Sequence, residues 1–182
     1  MPKRICIAWR MASRFSLREG KIEVCLAARW FSGISLGMIT IRPSRSGKGE
    51  RAIEIWRAAV DATHDFLSYE DRLALDELVS SFLPQAPLIF AVDAQDRPLA
   101  FMLIDNGHME ALFVDPAVRG TGVGAALVRH GLELHPAMTT DVNEQNGQAV
   151  EFYERMGFRR TGWSPLDGQG RAYPLVHLTH QG

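Results

Sequence analysis

Apolar and polar positions along the chain change period several times, and the changes divide it into elements. Ile39-Thr40-Ile41-Arg42-Pro43 alternates as a strand does, and Ile53, Trp56, Ala59 and Val60 then recur at helical spacing. That helix ends near 62–67. Ser68 and Asp71 form a capping-box-like start for a second helix, with Leu73, Leu75, Leu78, Val79 and Phe82 as its apolar face and Pro84 as its stop. The period then falls to two. Residues 87–92, 99–104 and 109–114 read as three strands, joined by the polar stretch 93–98 and by Asn106-Gly107, a tight-turn signal. Short links of this kind predict an antiparallel meander.

After Val114 strands and helices alternate. A Gly-rich loop, 119–124, leads into a helix carrying Val123, Leu127, His130 and Leu134. A short strand at 138–142 follows, then a helix over 148–156 with Ala149, Phe152, Tyr153 and Met156 on one face. Gly157 sits where a helix-terminating glycine belongs. Strands at 158–163 and 173–179 close the chain. The pattern predicts a mixed α/β sheet, antiparallel at first and locally parallel after the Gly-rich loop.

The first 37 residues stand apart. They carry seven Lys/Arg against two Asp/Glu and both cysteines, Cys6 and Cys25, while the whole chain has a net charge of −1, so 38–182 is acidic. Met38 reads as the natural start, with 1–37 an upstream extension; the competing reading is a partly ordered arm, amphipathic around 22–31. The expected domain is 38–182. With no cysteine there, a thiol nucleophile is absent from it. Near-neutral charge gives no reason to expect nucleic acid as a partner. No apolar run approaches the ~20 residues that cross a bilayer, and Ile5–Trp9 is too short for a signal-peptide core, so a cytoplasmic protein without a membrane partner is expected, as monomer or homodimer.

The most informative segment is Val114-Asp115-Pro116-Ala117-Val118-Arg119-Gly120-Thr121-Gly122-Val123-Gly124. Glycines there let backbone N–H groups approach a ligand, and the helix that follows aims its unpaired N–H groups at the same point. A phosphate site results. It lacks the Gly-Lys-Ser/Thr ending of a nucleotide-hydrolysing loop. It matches a loose dinucleotide pattern through Gly120, Gly122 and Ala125, with Asp141 near the ribose-binding position. Against that reading, five residues separate Val114 from Gly120, and too little chain follows Val142 for a second nucleotide-binding half.

Further on comes Asn146-Gly147-Gln148-Ala149-Val150-Glu151-Phe152-Tyr153-Glu154-Arg155-Met156-Gly157-Phe158. Arg119-x-x-Gly122-x-Gly124 together with this second motif resembles the GCN5-related N-acetyltransferases (GNAT), over about 38–180. Asp141 departs from the Asn that the resemblance leads one to expect there. The resemblance implies acetyl-CoA as co-substrate and a fold whose strands splay on either side of the Gly-rich loop. Its pantetheine arm would pair with backbone of Leu112, Phe113 and Val114. Its pyrophosphate would rest on amides of Arg119, Gly120, Thr121, Gly122, Val123 and Gly124. Asn146 would hold the pantetheine, Tyr153 would sit near the sulfur, and His64 lies in the region that shapes the acceptor pocket.

An activated thioester needs only a deprotonated amine, a stabilised oxyanion and a proton for the departing thiolate. Alternation over 108–114 places His108, Glu110, Leu112 and Val114 on one face. Glu110 is the first candidate base and His108 the second; a backbone N–H near Leu112 or Phe113 is the candidate oxyanion donor, and Tyr153 the candidate proton donor. His130, His135, His177 and His180 show no metal-ligand spacing with Cys, Asp or Glu partners, so no metal is expected. Trp56, Trp163 and Tyr173 read as packing residues, with Trp163 and Tyr173 near the pocket rim. The expected function is transfer of acetyl from acetyl-CoA to an amine, a protein lysine among the acceptors. The alternatives are a CoA-binding sensor module, which has no use for an acid and a base, and a dinucleotide binder.

Overall fold

The computed structural model describes residues 39–45 and 49–182. The expectations for 1–37, for Met38 as start and for both cysteines lie outside the described residues. Seven strands form one sheet: β1 (Thr40–Pro43), β2 (Ile89–Val92), β3 (Pro98–Asp105), β4 (His108–Val114), β5 (Thr139–Asn143), β6 (Phe158–Ser164) and β7 (Leu175–His180), in the spatial order β1-β2-β3-β4-β5-β7-β6. Neighbours are antiparallel except β4 and β5. The meander and the later parallel step are thus as the pattern implies. Asn106 and Gly107 both take positive φ, 49° and 79°, as a two-residue hairpin turn requires.

Among the described residues four α-helices cover the sheet: α1 (Gly49–Asp61), α2 (Tyr69–Phe82), α3 (Val123–Leu134) and α4 (Gly147–Arg155). On one face α1 and α2 bury Ile55, Trp56, Val60, Val79 and Phe82 against Phe90, Phe101, Leu103 and Phe113. On the other, α3 and α4 bury Val123, Leu127, Val128, Val150 and Tyr153 against Met102, Met109, Val142, Phe158 and Leu178. Each cluster stays dry because successive strand residues point to opposite faces.

Local signals act as the chemistry demands. Ser68 Oγ accepts from Asp71 N at 3.1 Å and starts α2. Pro84 turns the end of α2 into a short 3₁₀ segment, Leu83–Gln85. Gly157, at φ +92°, ends α4. Leu73, expected on the apolar face of α2, is 48% exposed; on α3, which carries all four expected residues, Leu134 is 54% exposed and His130 half-buried. In α3 the buried stripe is Val123, Leu127, Val128 and Gly131 instead, because α3 rolls its i, i+4, i+5, i+8 row onto the sheet.

A larger correction concerns β4. Leu103 pairs with Ala111 and Ile104 with Met109, so Glu110 is an extra residue at a β-bulge. Strict alternation ends there. Met109 packs on the α3 face, as do Leu112 and Val114, while Ala111 and Phe113 pack on the α1 face. His108 therefore does not share a face with Leu112 and Val114; it bonds through Nδ1 to Thr139 Oγ1 at 2.7 Å.

Candidate active site

The parallel contact between β4 and β5 consists of two residue pairs, His108–Thr139 and Met109–Thr140. Beyond them the strands diverge. β4 continues through Val114 paired only with β3, and β5 through Asn143 paired only with β7. A cavity of ≈ 560 Å³ opens where they part, lined among others by Leu112, Phe113, Val114, Arg119, Gly122 and Tyr153.

The loop after β4 is built to present backbone donors. Asp115 caps the short 3₁₀ turn Pro116–Val118 by accepting from Ala117 N at 2.9 Å, and its other oxygen pairs with the Arg51 guanidinium on α1. The loop is thereby anchored at its base. Gly120 and Gly122 then take φ +76° and +89°, and nothing lies within 4 Å of a Cβ built at either. These glycines are there for conformation, not for room. Gly122 is the N-cap of α3 and has no side chain to satisfy the first-turn N–H groups, which face the cavity mouth with the positive end of the helix dipole. Gly124 serves a different purpose: a Cβ there would stand 3.3 Å from Val114 Cγ2, so its absence lets α3 lie close to β4.

Asn146 caps α4, its Oδ1 accepting from Ala149 N at 3.2 Å. Asn146 also lines the cavity, where its amide NH₂ is a side-chain donor. Tyr153 lines the same cavity from α4. Its ring stacks edge-on against Phe152 at 5.1 Å and Phe158 at 5.5 Å, and burial pushes its phenol above the ordinary range. The hydroxyl therefore keeps its proton at neutral pH.

On the acceptor side His64 also lines the cavity. Burial, then the charges of Arg119 and Arg72, push its imidazole down to about 4, against a smaller opposing effect of Asp65. It is neutral at physiological pH. Its tautomer follows from Thr63. The Thr63 hydroxyl donates to Ala59 O at 2.7 Å, because a carbonyl can only accept, so His64 Nδ1–H donates to Thr63 Oγ1 at 2.9 Å. Nε2 is left with a lone pair.

Glu110 and His108 do not line the cavity. Both are buried, at 3% and 8% exposure: His108 stands in the first β5 pair, and Glu110 just beyond the last one, where the strands begin to part. Asp141 is held by His177, its Oδ1 2.6 Å from Nδ1, and is buried, so it is not placed as a ribose-binding acid. Among the described residues no group of three His, Cys, Asp or Glu stands close enough to hold a metal ion, and no helix is long and apolar enough to cross a membrane.

The sequence did not single out a clasp over this face. Tyr173 donates to Asp71 Oδ2 at 2.6 Å and Arg171 Nη1 to Asp71 Oδ1 at 2.7 Å, tying the β6–β7 connection to the start of α2. The Tyr173, Phe66 and His64 rings follow one another at 6.1 and 5.2 Å. Neither Tyr173 nor Phe66 lines the cavity; of the three rings only His64 does. Trp163 is 55% exposed and donates to Glu144 Oε2, while Trp56 is buried under the Arg72 guanidinium, 4.8 Å from its ring.

Residues 56–170 match the family model described as an acetyltransferase (GNAT) domain. The chain is 58% identical over 143 residues to the peptidyl-lysine N-acetyltransferase YjaB of Salmonella typhimurium, covering 79% of this chain and 99% of that one. It is 54% identical to YjaB of Escherichia coli (strain K12), over 80% of this chain and 99% of that one. The solution structure of the apo form of the latter superposes with a TM-score of 0.77. The PaiA N-acetyltransferase of Thermoplasma acidophilum, solved in complex with coenzyme A, shares the fold at 17% identity and a TM-score of 0.62, over 79% of this chain and 99% of that one.

Proposed function

Since the chain belongs to the GNAT family and is an N-acetyltransferase, we propose that it transfers acetyl from acetyl-CoA to a lysine side chain of a protein by direct attack on the thioester. One observation carries the reading: an uncapped helix N-terminus entered through two left-handed glycines opens onto a splayed strand pair, with a tyrosine across the gap.

The coenzyme's diphosphate rests on the amides of 119–124, where anion and helix dipole attract without any side-chain charge. The pantetheine arm lies in the gap and bonds to the free edge of β4 at Leu112–Val114, with the Asn146 NH₂ as a further donor. The carbonyl oxygen takes a hydrogen bond from a backbone N–H near Leu112 or Phe113 as it becomes an oxyanion. The acceptor amine enters from the side of His64, whose Nε2 lone pair accepts an amine N–H. An ammonium near pKa 10.4 must lose a proton first; Glu110 takes it through water, with His108 as the second candidate. Tyr153 then supports the departing thiolate. Its raised pKa makes it a poorer acid than a thiol, so it donates a hydrogen bond to the sulfur more readily than it surrenders its proton.

Lysine as acceptor rests on the relatives' names and on the acidic balance of 38–182, which suits a cationic substrate. The test is Tyr153→Phe. Turnover with acetyl-CoA and a lysine peptide is expected to fall about 100-fold, in the range of a lost transition-state donor, with the coenzyme Kd from calorimetry within about twofold of wild type. Unchanged turnover removes Tyr153 from the chemistry, and no heat with CoA removes the reading altogether.

A further inference from the structure

Three adjacent strands carry an aspartate, a histidine and a serine on the sheet face opposite α3 and α4. Asp141 on β5 stands directly across from His177 on β7. Ser164, the last residue of β6, pairs with Leu175 and so lies diagonal to His177. His177 Nδ1 is 2.6 Å from Asp141 Oδ1, and Nε2 is 2.7 Å from Ser164 Oγ. Proton positions follow from the chemistry. An ionised carboxylate only accepts, so the pairing seats a hydrogen on Nδ1; in the ring's neutral form Nε2 then accepts the Ser164 hydroxyl proton. This is the order of donors that activates a serine in Ser-His-Asp enzymes of unrelated folds.

Two further features favour chemistry over a structural tie. Asp141 is 4% exposed and its Oδ2 has no hydrogen-bond partner, 3.9 Å from His108 Nε2. A tie between strands already joined by backbone ladders gains nothing from a buried carboxylate. An imidazolium formed during acyl transfer is stabilised by one. Gly162, paired with His177, has its Cβ position 3.0 Å from the ring's Cδ2, so the missing side chain is what seats the imidazole. Ser164 is half-buried and reachable, and none of the three residues lines the coenzyme cavity.

We propose that Ser164 is an activated nucleophile, forming a second acyl-transfer centre for small activated esters and thioesters that works without amine or coenzyme. Oγ bonds to the acyl carbon while its proton passes to His177 Nε2. The C–O or C–S bond to the leaving group breaks, and the leaving group takes that proton. Water then attacks the acyl carbon while His177 takes its proton; the C–Oγ bond breaks, His177 returns the proton to Oγ, and the acid leaves. Asp141 is a positioning residue: it holds the tautomer and the imidazolium.

The full chain, free of coenzyme and amine, is treated with a fluorophosphonate probe and separately with p-nitrophenyl acetate. A phosphonyl adduct on the peptide containing Ser164 is expected, together with ester hydrolysis that Ser164→Ala abolishes. Asp141→Asn keeps the shape and removes the charge, and is expected to slow labelling at least about tenfold, short of the ~10⁴ lost in an optimised triad; Gly162→Ala is expected to slow it by displacing the ring. Melting temperatures show whether each variant is folded. No adduct at Ser164 in the wild-type protein overturns the proposal whatever the variants do, and so does labelling undiminished in a folded Asp141→Asn. Both readouts are independent of acetyl-CoA, so failure here leaves the amine-transfer reading standing, and the converse also holds.

Discussion

Protonation of His64 provides a stringent check on the electrostatics of the acceptor side. In the folded protein burial and the Arg119 and Arg72 charges hold the imidazole near 4, while in the unfolded chain it returns to about 6.5. A depressed histidine favours the folded state wherever both states are neutral. Its contribution is fully present above about pH 6.5 and lost as pH falls toward 4, because the unfolded chain takes up the proton first. At about 1.36 kcal/mol per unit the full effect is about 3 kcal/mol, of which about 2 is gone by about pH 5. His64 is only half-buried, and solvent screening brings the loss nearer 1 kcal/mol. That corresponds to a fall of about 2–4 °C in Tm for a domain of this size. The perturbation is His64→Gln, which removes the titration and keeps a polar group. Urea unfolding of both proteins at about pH 7.5 and pH 5 gives the double difference, in which the other histidines and the carboxylates cancel. The wild type is expected to lose about 1–2 kcal/mol more than the variant over that interval. Equal pH slopes, or a His64 imidazole resonance titrating near 6.5, would refute the reasoning.

Other expectations are narrower. Gly122→Ala forces a Cβ into φ +89° with nothing nearby to blame, so a backbone cost of about 1–2 kcal/mol should appear in Tm, alongside a weaker CoA Kd by calorimetry; an unaltered Kd would separate the loop from the ligand. Asn146→Ala removes the α4 cap and should cost about 1 kcal/mol in urea unfolding, with CoA binding weakened as well. Asp71 is held at about 2 by hydrogen bonds from Tyr173, Arg171 and Ser68. Its contribution is present above about 3.8 and fades as pH falls toward 2, which an NMR carboxyl titration would follow. Asp71→Asn releases the clasp at neutral pH and should make the 165–174 connection more open to limited proteolysis.

Much of this architecture was legible in the residue pattern. Period two over 87–114, Asn106-Gly107 and the Ser68 cap act through local sterics and hydrogen bonds that a short window contains. So do the glycines of 119–124. The bulge at Glu110 was not legible, because it is set by how β3 and β4 register against each other, and it moves His108 off the face that simple alternation assigns to it. Leu73 and Leu134 misled because their helices end or roll away from the sheet. The Asp141–His177–Ser164 line joins residues 36 and 13 positions apart. Only the strand order β5-β7-β6 brings them together; the one trace in the sequence was an acid at 141 where an amide was expected. The tautomer of His64 likewise depends on a carbonyl one helical turn back, which no motif encodes.

The two-rung junction of β4 with β5 has a mechanical meaning. Between the N-terminal and C-terminal halves of the sheet, His108–Thr139 and Met109–Thr140 are the only ladder pairs among the described residues, and β4 and β5 part beyond them. An extended, amide-bearing arm lodged there would complete the ladder as an eighth strand. The co-substrate would then be a removable part of the scaffold, and each turnover would end with the enzyme losing a piece of its own sheet.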